Sequence, residues 1–485
     1  MKLIVVGMDG ASFQTVKRGY TPTIQRLLES GTPLNLQTDL YSRGWSEIMT
    51  GCHASTTGAA YDRPLCNGSK KWIEKFNLFS AIGYGSKFTG FWEKLKSKDI
   101  RVGIMNIPTT YPAPEVNGFF VSGGGGGAPV VSSPTPEMCY PGEIRNDLLK
   151  FQYIVDERIG ELYIERGLTT EIEILDRMKI KNERRTDAFI KLAEKFKIDV
   201  GFIVYKTSSV LVEGITVQHE APYQNDSIDN EKLTSIQHYY HHFDNQILKL
   251  YSLYPEATFL FVADHGMVRK EFTFNPNKLL EKYGYLTSAG GSIVKSTAIS
   301  IAKRFVPFRI KKYLKRKTPL ANMARDTLSF DGEASKAFCR TFGDWRYGIY
   351  LNDLQRFNGP ISSKQKFNLI ETILRELNND DLIKKHKISF SARALEHPNW
   401  WPDIIIDCPD GFLISDKTTE IILENKAPPA GITGIFRGEI NSVKSTKPLS
   451  FVSGDFGISI SEYINGDLAS AHDLILKLAC RGYFE

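Results

Sequence analysis

An α/β fold with a mostly parallel sheet and helices on both faces is predicted by three features of the sequence. Runs dominated by apolar residues recur at 3–6, 102–107, 200–205, 258–263, 348–351 and 404–406. They lack polar alternation, as expected of strands covered on both sides. Helical spacing of apolar residues occupies intervals between them, at 22–30, 91–96, 184–196 and 239–250. Strand and helix in alternation imply parallel pairing with helices above and below. The third feature is the polar switch after the first strand, Gly7, Asp9 and Gly10, at the sheet edge where such folds gather ligands.

A chain of 485 residues exceeds what one small core needs. It predicts one large α/β domain over 1–485 with insertions, or two domains. Two stretches break the strand-helix rhythm. Residues 130–185 are Pro-rich and then helical, and read as a cap insertion; 290–330 reads as a second. Within the latter, Lys303, Arg304, Arg309, Lys311, Lys312 and Lys315–Lys317 interleave with apolar residues. A solvated helical face is the first reading of 303–317, and weak contact with a membrane surface is the alternative. Gly123–Gly127 lacks the spacing of a phosphate-cradling loop and reads as a hinge or a close backbone approach.

The net charge of +6 suits a small anionic substrate and is too diffuse to predict nucleic-acid binding. The six cysteines show no CxxC spacing and read as free thiols of a reducing compartment. The apolar run after Met1 is too short for a signal peptide, and no segment approaches the roughly 20 apolar residues of a membrane span. The expected location is the cytoplasm.

The strongest chemical signal is Phe259–Met267, a buried strand that delivers Asp264 and His265 side by side before Gly266. Gly266 is expected to supply the turn that lets both reach one ion. Asp9 also follows a buried strand, and parallel strands bring such ends to one edge. Two carboxylates and one imidazole suit Zn²⁺ or Mn²⁺, with Mg²⁺ or Ca²⁺ as alternatives. His238, His241 and His242 lie on a helical segment and read as packing or solvated residues, and Asp403 as structural or substrate-adjacent.

The sequence resembles the type I phosphodiesterase and nucleotide pyrophosphatase branch of the alkaline phosphatase superfamily. The resemblance is carried by Val5–Gly10, Trp45 with Thr50-Gly51, Asn106–Pro112, Val116–Gly118, Val121–Gly123, Gly348–Asn352, Trp401–Ile405 and Val262–Gly266. It implies an alkaline phosphatase-like fold and two metal ions flanking a Thr or Ser nucleophile that forms a covalent intermediate. Asp9, Asp264 and His265 match the ligands of one metal. The nucleophile position falls at Tyr41, with Ser42 next; Ser42 is preferred because a short hydroxyl reaches a metal-bound phosphorus more readily than a phenol. The second metal set is incomplete: Ser209 and Glu213 occupy the aligned positions, His219 joins only after a six-residue shift, and Phe436 replaces the late His. One ion is therefore expected, with Arg43, Lys206, Arg269 and Arg437 as candidate substitutes for the charge of the other.

These readings combine into a metal-dependent hydrolase of a phosphodiester or nucleotide-type pyrophosphate. The alternatives are a binding or scaffold protein with degraded catalysis, and a one-metal phospho- or sulfo-transferase or sulfatase-like enzyme. The last needs a Cys-x-Pro-x-Arg-like motif, and Leu40–Arg43 lacks the Pro.

Overall fold

The computed structural model describes residues 1–17, 19–60, 62–74, 88–124, 131–157, 167, 170–206, 230–288, 330–341, 347–416, 418–426, 442–454 and 456–481. The chain divides into two compact units, one of Met1–Ala59, Lys75–Val268 and Lys444–Glu485, the other of Ala60–Glu74 and Arg269–Val443.

The first unit carries an eight-stranded sheet. Its strands in chain order are β1 (Leu3–Met8), β2 (Thr32–Pro33), β3 (Val102–Met105), β4 (Gly118–Val121), β5 (Cys139–Tyr140), β6 (Val200–Tyr205), β7 (Thr258–Val262) and β8 (Ser450–Ser453). They lie in the order β2-β8-β7-β1-β6-β3-β4-β5. The strands from β7 to β4 pair in parallel, and the edges beyond them pair antiparallel. The mostly parallel sheet expected from the buried runs is therefore present.

Helices cover both faces, which explains why β1 is buried along its whole length. On one side, α1 (Pro22–Glu29) and the long helices α4 (Glu171–Phe196) and α5 (Asn230–Leu253) cover the sheet. Phe243 meets Tyr205 edge-on at 5.1 Å, and Thr186 Oγ1 bonds the Tyr205 hydroxyl at 2.7 Å. Asp244 ties α5 to α1 by accepting the N–H groups of Thr23 and Ile24 at 2.9 and 3.0 Å. On the other side, α2 (Gly44–Thr50), α3 (Phe91–Lys96) and α6 (Ala471–Ala479) pack Trp45, Phe91, Trp92 and Leu474 against Val5, Phe202 and Leu260. Both α4 and α5 run beyond the periodic stretches read from sequence. Thr170 and Glu173 form a reciprocal capping box that sets the start of α4.

The second unit corrects one element of the sequence reading. The runs at 348–351 and 404–406 belong to a separate antiparallel sheet, ordered Ala337–Thr341, Tyr347–Leu351, Ile404–Asp407, Ser389–Ala392. Apolar composition records burial, not strand direction. Asp403 proves structural: it is fully buried, ion-paired with Arg356 and with Lys366 (2.9 Å), and accepts the Leu351 N–H at 2.8 Å. The 303–317 segment lies outside the described residues. No helix among the described residues is long and apolar enough to cross a membrane.

Gly7 on β1 shows how tightly sheet and helix meet. A Cβ there would stand 2.7 Å from Val204 Cγ2 and 2.8 Å from Trp45 Cη2. Gly7→Ala is expected to lower stability by about 1–3 kcal/mol through overpacking. Thermal or urea denaturation measures this; an unchanged midpoint contradicts the packing described.

Candidate metal centre

The register of β1 determines which residues meet at the sheet edge. Gly7 pairs with Val262, so Asp9 emerges beside Asp264, and His265 follows. Gly10 takes a left-handed φ of 75° and turns the chain away. Gly266 has a different role from the expected turn: it opens the strand Gly266–Arg269, where a Cβ would stand 2.6 Å from the Lys447 carbonyl. Close approach, not a left-handed backbone, requires this glycine.

Asp9, Asp264 and His265 are all buried, 4–5 % exposed, and their ligating atoms lie within 4.8 Å of one another. Each is held on the side away from that meeting point. The Trp45 indole N–H donates to Asp9 Oδ2 at 3.0 Å, and the Gly10 N–H donates to Asp264 Oδ1 at 3.3 Å. His265 Nδ1 lies 2.9 Å from the Gly266 carbonyl. A carbonyl only accepts, so Nδ1 carries the proton and Nε2 presents its lone pair. That nitrogen stands 3.9 Å from Asp9 Oδ1 and 3.5 Å from Asp264 Oδ2. Burial, with the Lys444 charge, pushes the imidazole down to about 3, so it is neutral. Burial, and then the Asp9 charge, hold the Asp264 carboxyl well above its ordinary range.

Helix α2 completes this corner. Gly44 passes so close to Asp264 that a Cβ would lie 2.3 Å from its carbonyl oxygen. Trp45 follows and reaches Asp9, while Arg43 is the buried N-cap residue.

Ser42 sits just before this helix and bonds Asp39, which lies with Glu47 and His53 in a second polar cluster that sequence reasoning missed. Its hydroxyl accepts the Ala54 N–H at 2.9 Å, which directs its own proton to Asp39 Oδ2 at 3.2 Å. Asp39 Oδ1 also accepts the N–H groups of Tyr41 and Ser42, both at 2.8 Å. These bonds brace a loop in which Leu40 adopts a φ of 60°, costly for a branched residue. Glu47, fully buried on α2, accepts from His53 Nδ1 at 2.6 Å, and His53 Nε2 lies 3.3 Å from Asp467. The Glu47 hydrogen bond raises His53 to about 9. Burial of Glu47, followed by the Asp39 charge, pushes that carboxyl up to about 8. The only sequence signal was an acidic residue flanked by Trp45, Ile48 and Met49.

Among the described residues, the remaining sequence candidates are not ligands of this cluster. Lys206 follows β6 and bonds Asp156 Oδ2 at 3.2 Å. Arg269 lies in the strand after His265. Ser209, Glu213, His219, Phe436 and Arg437 lie outside the described residues. Gly123 and Gly124 make close approaches, their Cβ positions falling 2.5 Å from the Asn106 carbonyl and from Asp156 Cβ respectively. All six cysteines are free thiols.

The His53 pair makes stability pH-dependent. A folded-state pKa raised above the ordinary 6.5 stabilises fully below that value and is lost as pH rises toward about 9. Chemical denaturation across pH 6.5–9 is expected to show declining stability in the wild type and a flatter profile in His53→Gln. Parallel profiles refute this assignment.

Among solved structures, the chain is similar to phosphonoacetate hydrolase from Sinorhizobium meliloti 1021 in complex with phosphonoacetate. The match has 12 % identity and a TM-score of 0.55, covering 99 % of this chain and 96 % of that one. Murine ectonucleotide pyrophosphatase/phosphodiesterase 5, inactive and in complex with AMP, matches at 11 % identity and a TM-score of 0.45, covering 99 % and 95 %. Alkaline phosphatase PafA matches at 13 % identity and a TM-score of 0.48, covering 98 % and 95 %. At 12 % identity the similarity to phosphonoacetate hydrolase concerns the fold. No curated protein sequence matches the chain. The family model for type I phosphodiesterase / nucleotide pyrophosphatase matches residues 3–336, and the chain belongs to that family.

Proposed function

We propose that the chain is a metal-dependent hydrolase of a phosphodiester or nucleotide-type pyrophosphate, with Asp9, Asp264 and His265 as the ligands of one divalent cation. One observation carries the reading: two buried carboxylates turn oxygens toward an imidazole nitrogen whose tautomer leaves its lone pair available. Two neighbouring carboxylates are costly to bury unless a cation shares them. The mixed oxygen and nitrogen donors favour Zn²⁺ or Mn²⁺ over Mg²⁺ or Ca²⁺. When bound, the ion supplies positive charge to the phosphoryl oxygens.

The chain's own residues supply the rest. Trp45 and the Gly10 N–H orient the two carboxylates, as outer-shell donors do in metal sites. Ser42 is the proposed nucleophile and Asp39 its proton acceptor, 3.2 Å away. The serine oxygen forms a bond to phosphorus as the ester oxygen leaves; water then cleaves the serine ester and releases the phosphoryl product. Arg43 is proposed to steady the phosphoryl oxygens. The free thiols agree with the cytoplasmic location we propose.

Elemental analysis after reconstitution is expected to find one ion per chain, lost in Asp264→Ala. Trp45→Phe, which removes the donor to Asp9, should weaken metal affinity about 10–100-fold in a chelator competition. Turnover of bis-(p-nitrophenyl) phosphate should disappear in Ser42→Ala. A wild type that binds no metal overturns the reading in favour of a binding protein on this fold, and full activity in Ser42→Ala removes the nucleophile assignment.

A further inference from the structure

The sheet edge that carries Asp9 also carries a concentration of positive charge. Met8 pairs with Tyr205, and the Tyr205 carbonyl accepts the Asp9 N–H at 3.2 Å, so Lys206 is the neighbour of Asp9 across the register. Lys206 Nζ donates to Asp156 Oδ2 at 3.2 Å and to the Gly124 carbonyl at 3.3 Å. The other oxygen of Asp156 lies 4.0 Å from Lys181 Nζ, which arrives from α4. Lys181 is 1 % exposed, and its ammonium reaches no hydrogen-bond acceptor among the described residues.

The described surroundings neutralise this group only in part, through the charges of Asp156 and Glu157. Arg185, fully buried one turn further along α4, gives its guanidinium to the carbonyls of Val204, Ile154 and Val155. Glu157 is gripped on both oxygens by Arg177, at 2.7 and 2.8 Å. Among the described residues, Lys181 and Lys206 thus reach opposite oxygens of Asp156, and the Arg185 charge acts on Lys181 against those of Asp156 and Glu157. Burial pushes the Lys181 amine down to about 8 against the pull of Asp156. A buried ammonium without acceptors is costly. A multi-oxygen anion satisfies such a donor and can accept from Lys206 at the same time.

We propose that Lys181 and Lys206, joined through Asp156, form an anion-binding subsite beside the candidate metal centre. It would take a second anionic group of the substrate, a phosphate, phosphonate or carboxylate. Only the identification of that anion as part of a substrate rests on the hydrolase reading. The substrate class then narrows to esters that carry a further negative charge, as a pyrophosphate does.

Isothermal titration of inorganic pyrophosphate into the full chain in EDTA tests the subsite without metal or turnover. Wild type is expected to bind one equivalent, and Lys181→Met to weaken binding by about tenfold or more. Asp156→Asn removes the competing carboxylate and should tighten binding about threefold, an effect that a purely structural role does not produce. Melting temperature identifies a misfolded variant; if Lys181→Met is one, Lys206→Met carries the same expectation. Equal affinity in wild type and a folded lysine variant, or no binding by wild type, overturns the subsite. Anion binding that follows this pattern in a protein with no hydrolytic activity overturns the hydrolase reading alone.

Discussion

The parallel register of β1 between β6 and β7 is the constraint on which the site depends. It places Asp9 beside Asp264 on one flank and beside Lys206 on the other. A slip of one residue would exchange the two faces of β1 and bury its neighbours against the wrong helices. Because both faces are packed, the register is fixed by the fully buried side chains from Leu3 to Met8. The position of the carboxylates follows from the core, not from the loops around them.

Three close approaches convert that register into a side-chain arrangement. Gly7 leaves room for the Trp45 ring, Gly44 lets the start of α2 touch Asp264, and Gly266 passes against the Lys447 carbonyl. With the ring seated on Gly7, the indole N–H meets Asp9. The desolvation that raises the Asp264 carboxyl and lowers His265 is thus a consequence of the same packing. The Ser42 loop depends on local polar bonds to Asp39 and Ala54, and Glu47, the partner of His53, is buried through α2.

The strand ends were legible because burial and chemistry coincide there. Apolar runs predicted β1 and β7, and a polar residue after each marked the edge where Asp9, Asp264 and His265 converge. The antiparallel direction of Tyr347–Leu351 and Ile404–Asp407 was not legible, since a buried run carries no sign of its pairing partner. Lys181 escaped notice because a lysine in a long helix ordinarily faces water; only the packing of α4 reveals that this one is enclosed. Asp39, Glu47 and His53 share no helical or strand period, so their convergence is a product of tertiary structure.

The two charged groups at this edge have opposite sign, and Asp9 and Lys206 follow adjacent paired strands. Asp9 and Asp264 concentrate negative charge after β1 and β7, whereas Lys181, Arg185 and Lys206 concentrate positive charge around the end of β6. In a region shielded from water, such charges interact more strongly than on an exposed surface. A cation at the first group relieves repulsion between carboxylates, and an anion at the second relieves repulsion between ammonium groups. A ligand bearing an anionic group while sharing the cation serves both needs at once. With the proposed cation and anion subsites occupied, the charge placement at this sheet edge suits a compact polyanion better than a singly charged ester.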